Sequence, residues 1–373
     1  MPIPHFIVLG GFLGAGKTSA IRRLGEYLTT QGIRVGLITN DQGHDLVDTQ
    51  LLRSCGFTTR EVVGGCFCCR FDQLMDAASF LTSDVGPEVL VAEAVGSCTD
   101  LAATVTSPIR RLFADQFTIA PLNVMVDPIR ARRVLGLEPG EHFSDDVEYI
   151  YRKQLEEADV IVMNKCDLLP DDSINELGAA LSDAYPHADV VAVSTRDGLQ
   201  LEEWFHRMLY SVQQPRSFVD VDYDVYATGE ALLGWVNATI TVSGMPSFDG
   251  GMVLAELARE LQHELRSASA AVAHLKMTLA STTGDASRLA SIHLVRNDTE
   301  PTVGMSLPDL VDEGRVVVNL RAEAEPELLE RALRTAVDRV RPPSGMLTLA
   351  IETVEALSPG RPTPTHRDTE VRT

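Results

Sequence analysis

Three of the six cysteines fall within four consecutive positions, at Cys66, Cys68 and Cys69, directly after Gly64-Gly65. Thiolates are soft ligands, so the three could bind one transition-metal ion. In an extended strand Cys69 would point away from the other two, and the sulfurs can meet only if the chain turns, which the glycines permit. Inert buried thiols and a redox pair are the alternatives. The remaining cysteines are isolated and are predicted to be packing residues: Cys55, Cys98 and Cys166.

Residues 11–18 read GFLGAGKT and fit the phosphate-binding pattern G-x-x-x-x-G-K-[ST] in full. Backbone N–H groups of such a loop surround the phosphates, while Lys17 would neutralise their charge and the Thr18 hydroxyl would bind Mg²⁺. A glycine-rich turn without a ligand is the alternative. The predicted phosphate-binding residues are Gly11, Gly14, Ala15, Gly16, Lys17, Thr18 and Ser19.

An apolar run at residues 89–92 ends in Glu93, and Gly96 follows. A strand in this position delivers a carboxylate to the carboxyl edge of an open α/β sheet, where nucleotides bind. Glu93 would hold Mg²⁺ or its water, and the Gly96 backbone could approach the γ-phosphate. We therefore predict Lys17, Thr18 and Glu93 as the catalytic residues.

The run Val160–Met163 leads directly into Asn164-Lys165-Cys166-Asp167. The Asp167 carboxylate can accept hydrogen bonds from N1–H and the exocyclic amine of guanine, whereas adenine offers neither in that arrangement. Asn164 would brace the loop, and the stem of Lys165 would lie over the base. This pattern favours GTP over ATP, and a second base-contacting loop is predicted at residues 193–196.

A polar segment, residues 38–45, follows the second predicted strand and contains Asp41, His44 and Asp45. These side chains are hard or borderline ligands. Asp41 is predicted as a metal ligand, either beside the three cysteines or toward Mg²⁺. A plain polar turn is the alternative.

Short apolar runs alternate with helical patterns through the first 210 residues, which predicts a doubly wound α/β domain with a mostly parallel sheet. After Pro215 the pattern becomes β-α-β-β-α-β with one extra strand, as in the split βαβ, ferredoxin-like arrangement. The predicted domains are a P-loop domain at 1–214, a smaller α+β domain at 215–357 and a flexible tail at 358–373.

The chain carries 53 acidic and 32 basic side chains, for a net charge of -21. Such a surface repels nucleic acid and anionic lipid, so neither is predicted as a partner. No apolar stretch approaches the roughly 20 residues of a membrane span, and residues 1–11 lack a basic region before a long apolar run. We therefore predict a cytoplasmic protein.

Together these motifs resemble those of the CobW-type P-loop GTPases, relatives of the nickel-insertion GTPases of the HypB and UreG type. The resemblance rests on residues 10–18 (GGFLGAGKT), 40–41 (ND), 65–69 (GCFCC), 93–96 (EAVG) and 164–167 (NKCD). It implies GTP hydrolysis modulated by a divalent metal, most often Zn²⁺ and sometimes Co²⁺, Fe or Ni²⁺. It also implies a client metalloenzyme or cobalamin-dependent protein, and possible nucleotide-dependent homodimers. Asp41 stands where the family usually has glutamate.

The leading hypothesis is a GTP-hydrolysing metallochaperone that couples hydrolysis to delivery of the cysteine-bound metal. Its cofactors would be GTP, Mg²⁺ and Zn²⁺ or another transition metal, such as Co²⁺. One alternative is a GTPase chaperone for a cobalamin-dependent enzyme in which metal at the cysteines is incidental. Another is a slow GTP-regulated interaction module.

Overall fold

Four of the apolar runs of the first 210 residues form strands that are buried on both faces, namely those at residues 5–11, 89–93, 123–126 and 160–163. A computed structural model describes residues 3–41, 47–214, 217–282, 288–340 and 346–370. All residues from Phe6 to Leu9 and from Val89 to Glu93 are buried. Burial on both faces is typical of parallel sheets covered by helices, which explains why these strands are apolar throughout.

The strands, in chain order, are β1 (His5–Gly11), β2 (Val35–Asp41), β3 (Thr59–Val63), β4 (Val89–Glu93), β5 (Thr118–Ile119), β6 (Asn123–Val126), β7 (Val160–Met163), β8 (Asp189–Ala192), β9 (Leu233–Phe248), β10 (Ala271–Ser281), β11 (Leu289–Leu294), β12 (Thr302–Met305), β13 (Val311–Glu323) and β14 (Met346–Leu357). The helices are α1 (Lys17–Thr30), α2 (Val47–Ser54), α3 (Phe71–Asp84), α4 (Ser107–Leu112), α5 (Pro128–Val134), α6 (Asp145–Glu156), α7 (Asp171–Ala184), α8 (Leu201–Tyr210), α9 (Tyr223–Leu232), α10 (Gly250–Ser267) and α11 (Pro326–Arg339). Within the described part of the chain, none of these helices combines the length and apolar character that a membrane-spanning segment requires.

The chain divides into two compact units, and neither is continuous in sequence. The first comprises residues 1–44, 55–227 and 362–373, and the second comprises 45–54 and 228–361. This division differs from the boundary predicted after residue 214, because the first unit continues to residue 227 and helix α2 belongs with the second unit. It also differs from the tail predicted at 358–373, because residues 362–370 make hydrogen bonds within the first unit.

The first unit contains a parallel sheet in the order β3-β2-β4-β1-β6-β7-β8, with β5 pairing with β1. Strands β1 and β4 run side by side in register, so that Leu9 pairs with Glu93. The carboxyl ends of all these strands lie at one edge of the sheet, and the predicted phosphate, Mg²⁺ and base motifs follow β1, β4 and β7. The doubly wound architecture predicted from sequence is therefore confirmed.

The second unit contains an antiparallel sheet in the order β12-β11-β10-β13-β9-β14. Strands β10, β13, β9 and β14, with helices α10 and α11, make the predicted split βαβ arrangement. The sequence predicted one additional strand, β11, and the structure has a second, β12. Helix α2 packs on this unit, where Asp48 forms an ion pair with Lys276 at 2.7 Å.

Candidate nucleotide and metal site

The phosphate-binding motif forms the loop between β1 and α1. The Lys17 ammonium donates to the Gly11 carbonyl at 2.7 Å, and the Ala15 N–H donates to the Phe12 carbonyl at 3.2 Å. Gly16 has φ +96, and a Cβ there would collide with the Asn164 side chain. The loop can therefore present its N–H groups to an anion at the start of helix α1. Ser19 is exposed in the first turns of that helix.

The structure brings Thr18 and Glu93 together at the carboxyl edge of the sheet. The Thr18 hydroxyl donates to Glu93 Oε1 at 2.9 Å, and both residues are buried. Gly96 lies so close to the phosphate-binding loop that an added Cβ would be 2.8 Å from the Leu13 backbone nitrogen. A hydroxyl and a carboxylate in contact beside this loop are oxygen donors of the kind that Mg²⁺ prefers.

The predicted base-reading loop is joined to the phosphate-binding loop by side-chain hydrogen bonds. Asn164 Nδ2 donates to the Ala15 carbonyl at 2.9 Å, and Asn164 Oδ1 accepts from the Thr195 N–H at 3.1 Å. Lys165, at φ +59, donates to the Gly14 carbonyl at 2.6 Å. Asn164 thus braces both loops, as the sequence had predicted for the base-reading loop alone.

Asp167 lies beside the segment that was predicted to form a second base-contacting loop. Its Oδ1 accepts from the Ser194 hydroxyl at 2.6 Å, and its Oδ2 is 3.9 Å from an Arg196 guanidinium nitrogen. The Ser194 hydroxyl also accepts from the Asp197 N–H at 3.0 Å. These bonds hold the Asp167 carboxylate in one orientation at the end of β7.

Sequence reasoning missed Asp127, which positions Lys165. Asp127 Oδ2 accepts from the Lys165 ammonium at 2.9 Å, while Oδ1 caps helix α5 by accepting from the Arg130 N–H at 3.1 Å. The one available signal was its place directly after strand β6, at the same carboxyl edge as Glu93 and Asn164. An acid there can fix the lysine without contacting the nucleotide.

The three clustered cysteines converge because the chain turns at residues 64–70. Gly64 and Gly65 have φ +74 and +150, and the N–H groups of Cys69 and Arg70 both donate to the Cys66 carbonyl, at 3.0 and 2.9 Å. The sulfur–sulfur distances are 2.8 Å for Cys66–Cys68, 3.4 Å for Cys66–Cys69 and 3.7 Å for Cys68–Cys69. Two sulfurs bound to one tetrahedral Zn²⁺ are about 3.8 Å apart, so the cluster fits such an ion after small outward shifts.

The thiol pKa values indicate that the cluster favours one thiolate. Hydrogen bonds with Cys68, and then with Cys69 and Cys98, hold the pKa of Cys66 well below its ordinary value. The hydrogen bond with Cys66 is the main reason that the pKa of Cys68 is raised well above its ordinary value and that of Cys69 to about 11. A metal ion binds thiolates, so it would displace the protons that these thiols now share.

Cys98, which the sequence predicts to be a packing residue, is buried. Hydrogen bonding with its thiol contributes to the lowered pKa of Cys66 and to the raised pKa of Cys68. Cys166 is buried elsewhere, with its sulfur donating to the Met163 carbonyl at 3.2 Å, and Cys55 is half-buried.

The cysteine loop is tied to the end of strand β2 by Asn40. Asn40 Nδ2 donates to the carbonyls of Val62, at 3.0 Å, and Gly65, at 2.7 Å. Asn40 therefore joins the carboxyl end of strand β2 to the turn that carries the cysteines. The predicted ligand Asp41 ends β2, and its side chain lies outside the described residues, as do His44 and Asp45.

The final described segment lies along the cysteine loop. The Thr363 N–H donates to Cys69 Sγ at 3.2 Å, and the Thr365 N–H donates to the Cys68 carbonyl at 2.8 Å. Farther on, the Arg367 guanidinium pairs with buried Asp100 at 2.6 Å. This segment covers part of the loop, and its Pro- and Thr-rich sequence carried no pattern from which the contact could have been predicted.

Comparison with known proteins gives a match to the CobW/HypB/UreG nucleotide-binding domain over residues 5–192. The zinc chaperone CobW of Sinorhizobium sp is 28% identical over 181 residues, which are 43% of this chain and 51% of that protein. The zinc-regulated GTPase metalloprotein activator 1 of Dictyostelium discoideum is 24% identical over 235 residues, 56% of this chain and 49% of that protein. This chain thus spans about half the length of these curated relatives. The nickel complex of HypB from Helicobacter pylori aligns at 17% identity and a TM-score of 0.43, covering 58% of this chain and 92% of that one.

Proposed function

Because this chain belongs to the CobW/HypB/UreG family of nucleotide-binding domains, we propose that it is a GTP-hydrolysing metallochaperone. Its cargo is a transition-metal ion, for which Zn²⁺ is our first choice. The ion is held by Cys66, Cys68 and Cys69 and passed to a client protein. The observation that carries the proposal is the convergence of three thiols on a turn tied to the carboxyl end of β2. Metal and nucleotide sites at one sheet edge can influence each other through the loops between them.

For hydrolysis, the chain's own residues position the nucleotide and neutralise charge. The phosphate-binding loop and Lys17 hold the β- and γ-phosphates, and Asp167 accepts from the guanine edge with Lys165 over the base. The Thr18 hydroxyl and the Glu93 carboxylate would hold Mg²⁺, which supplies charge neutralisation when bound. The Gly96 backbone, adjoining the phosphate-binding loop, would report the presence of the γ-phosphate to the residues that follow it.

The test of this proposal is zinc affinity as a function of nucleotide. We expect the affinity of the wild type to differ by at least about five-fold between GDP and a non-hydrolysable GTP analogue, the lower end of typical coupling between sites. Competition against a chromophoric chelator measures the affinity. Cys66→Ser should lose the nucleotide dependence, while Cys55→Ser, at a half-buried thiol away from the cluster, should retain it. Equal affinities in every nucleotide state would rule the proposal out.

Thr363→Pro should accelerate release of the ion about five-fold, because proline has no N–H to donate to Cys69 Sγ. One hydrogen bond contributes about 1 kcal/mol, which corresponds to about that factor in rate if the bond is absent in the transition state for release. Zinc transfer to a chelator, followed by stopped flow, measures the rate. Thr363→Val keeps the N–H and is the matched control. Identical rates for Thr363→Pro and Thr363→Val would contradict the predicted contribution of this bond.

A further inference from the structure

We propose that the surface beside the cysteine loop is a docking site for an extended peptide that carries an arginine followed by an aspartate. Residues 363–368 of this chain, which we call the strap, occupy that site in cis and cover part of the cysteine loop. The inference rests on the proposed function, because it names the kind of client segment that would displace the strap and open the thiol cluster for metal transfer.

The first half of the strap is held through its backbone. The Thr363 N–H donates to Cys69 Sγ at 3.2 Å, and the Thr365 N–H donates to the Cys68 carbonyl at 2.8 Å. The Thr365 hydroxyl also donates to the Cys69 carbonyl, at 3.4 Å. N–H groups two residues apart thus face the same loop, which is the spacing of an extended peptide. Such main-chain bonds provide affinity without selecting a sequence.

The second half of the strap is held through charged side chains, beginning with Arg367. Its guanidinium donates to Asp100 Oδ2 at 2.6 Å and to the Val219 carbonyl at 3.3 Å. Asp100 is 2% exposed, and the Tyr223 hydroxyl donates to the same carboxylate oxygen at 2.7 Å. A buried carboxylate that loses its cation is left with an uncompensated charge, so this position selects a cation. The second bond favours the forked guanidinium of arginine over an ammonium.

The next position of the strap selects an acid. Asp368 Oδ2 accepts from the Ser107 hydroxyl at 2.7 Å, and Oδ1 is 3.0 Å from an Arg111 guanidinium nitrogen. The Asp368 N–H donates to the Ala103 carbonyl at 2.9 Å, so the backbone is held here as well. Helix α4 and the helical turn before it supply these partners, all within the first unit. An arginine followed by an aspartate therefore matches this surface.

The strap controls access to the cluster because it bonds to the most exposed of the three sulfurs. Cys66 and Cys68 are buried, whereas Cys69 is half-buried and accepts the bond from the strap. A client that receives the ion must approach from the side of Cys69. The strap is tethered to the chain, so its local concentration is on the order of millimolar, and a client segment displaces it only by binding more tightly.

Alkylation of Cys69 by iodoacetamide, followed by mass spectrometry on the metal-free, full-length chain, tests this docking site. Arg367→Ala should raise the alkylation rate at least about 10-fold, because it removes the cation from the buried Asp100 carboxylate. Asp100→Asn, which keeps an acceptor for Tyr223, should act in the same way, and the double variant should be no faster than Arg367→Ala. Arg334→Ala is the matched control, since that arginine forms an exposed ion pair on helix α11. Thermal unfolding confirms that each variant is folded.

A free peptide of residues 362–370 provides the second arm of the experiment. Added to the Arg367→Ala variant at roughly millimolar concentration, the local concentration that the tether provides, it should restore the slow alkylation of the wild type. The same peptide with alanine in place of its arginine should leave the rate unchanged. This rescue requires a surface that binds the peptide in trans, as a client segment would bind.

Either of two results would overturn the inference. Alkylation of Arg367→Ala at the wild-type rate would show that the strap does not cover Cys69, and failure of the intact peptide to slow the reaction would show that the surface accepts no free segment. A wild-type rate that falls as protein concentration rises would show that the strap comes from a second copy, which contradicts occupation in cis. These measurements use neither metal nor nucleotide, so the proposed function stands or falls separately, on zinc affinity.

Discussion

Asp167→Asn should lower the affinity for guanine nucleotides by about 10³-fold and create affinity for xanthine nucleotides. Each hydrogen bond to a charged group contributes about 1.5–3 kcal/mol, and Asp167 is positioned to accept two from guanine. The asparagine carbonyl can still accept from N1–H of guanine. Its NH₂ group, however, faces the exocyclic amine of guanine, and two donors cannot form a hydrogen bond. Xanthine carries a carbonyl at that position, so the substituted side chain complements it. Calorimetry of GDP and xanthosine diphosphate binding, together with turnover of GTP and xanthosine triphosphate, measures this change in base specificity.

The structure provides two supports for this experiment. Ser194 donates to Asp167 Oδ1 at 2.6 Å, and an asparagine carbonyl can accept the same bond, so the orientation of the side chain is preserved. Asp172, exposed in the first turn of α7, offers the matched control, because Asp172→Asn removes the same charge at a distance from the loop. Unchanged GDP affinity in Asp167→Asn, or a gain of ATP turnover, would show that the base is recognised elsewhere.

The fold was predictable where burial is continuous along the chain. Strands β1, β4, β6 and β7 are apolar runs because both of their faces are covered. Strand β3 reads TREVV, and two charged side chains break the pattern; as an edge strand it has one neighbour and tolerates them. Strand β12 reads TVGM, is largely exposed and lies at the other sheet's edge. Hydrophobic pattern reports burial, so these two weakly buried strands leave little trace in the sequence.

Domain membership was harder to predict than the elements themselves. The boundary at residue 214 followed from a change in pattern, which is local information. In the sequence, helix α2 falls between strands β2 and β3 of the first unit. Its contacts are nevertheless with the second unit, where Asp48 contacts Lys276 and Gln50 contacts Thr278. Residues 362–370 show the reverse case: they follow the second unit in sequence but make hydrogen bonds within the first. Such returns depend on contacts between residues far apart in sequence, which no local pattern encodes.

In the candidate site, too, the residues of contiguous motifs could be predicted from sequence, whereas a residue that acts through a distant partner could not. The phosphate-binding loop, the 164–167 motif and the cysteine triplet are contiguous, and their residue types and spacing were sufficient to identify them. Asp127 contributes through Lys165, far along the chain, and is an ordinary residue in its own segment. The signal that could have found it was positional, since it directly follows strand β6, which ends at the nucleotide edge.

Gly96→Ala should reduce GTP turnover by about 100-fold while leaving GDP affinity nearly unchanged. The added Cβ would stand 2.8 Å from the Leu13 backbone nitrogen, and backbone cannot move aside cheaply. Gln154 Nε2 also donates to the Gly96 carbonyl, and we expect the added Cβ to displace the turn around Gly96 from the phosphate-binding loop. Its N–H then cannot approach the γ-phosphate, and loss of one such donor typically costs 10²–10³ in rate. Single-turnover hydrolysis and GDP binding separate the two effects.

The same variant tests whether the turn transmits the nucleotide state to the metal. If this turn carries the nucleotide state to the cysteine loop, Gly96→Ala should also abolish the difference in zinc affinity between GDP and the GTP analogue. Gly178→Ala is the matched control, because a Cβ there meets only Met163 Cε at 3.5 Å, an ordinary contact within helix α7. Loss of turnover with the zinc coupling intact would place the coupling outside this turn, for instance in the Asn40 link to Gly65. Normal turnover would mean that the γ-phosphate is sensed without Gly96.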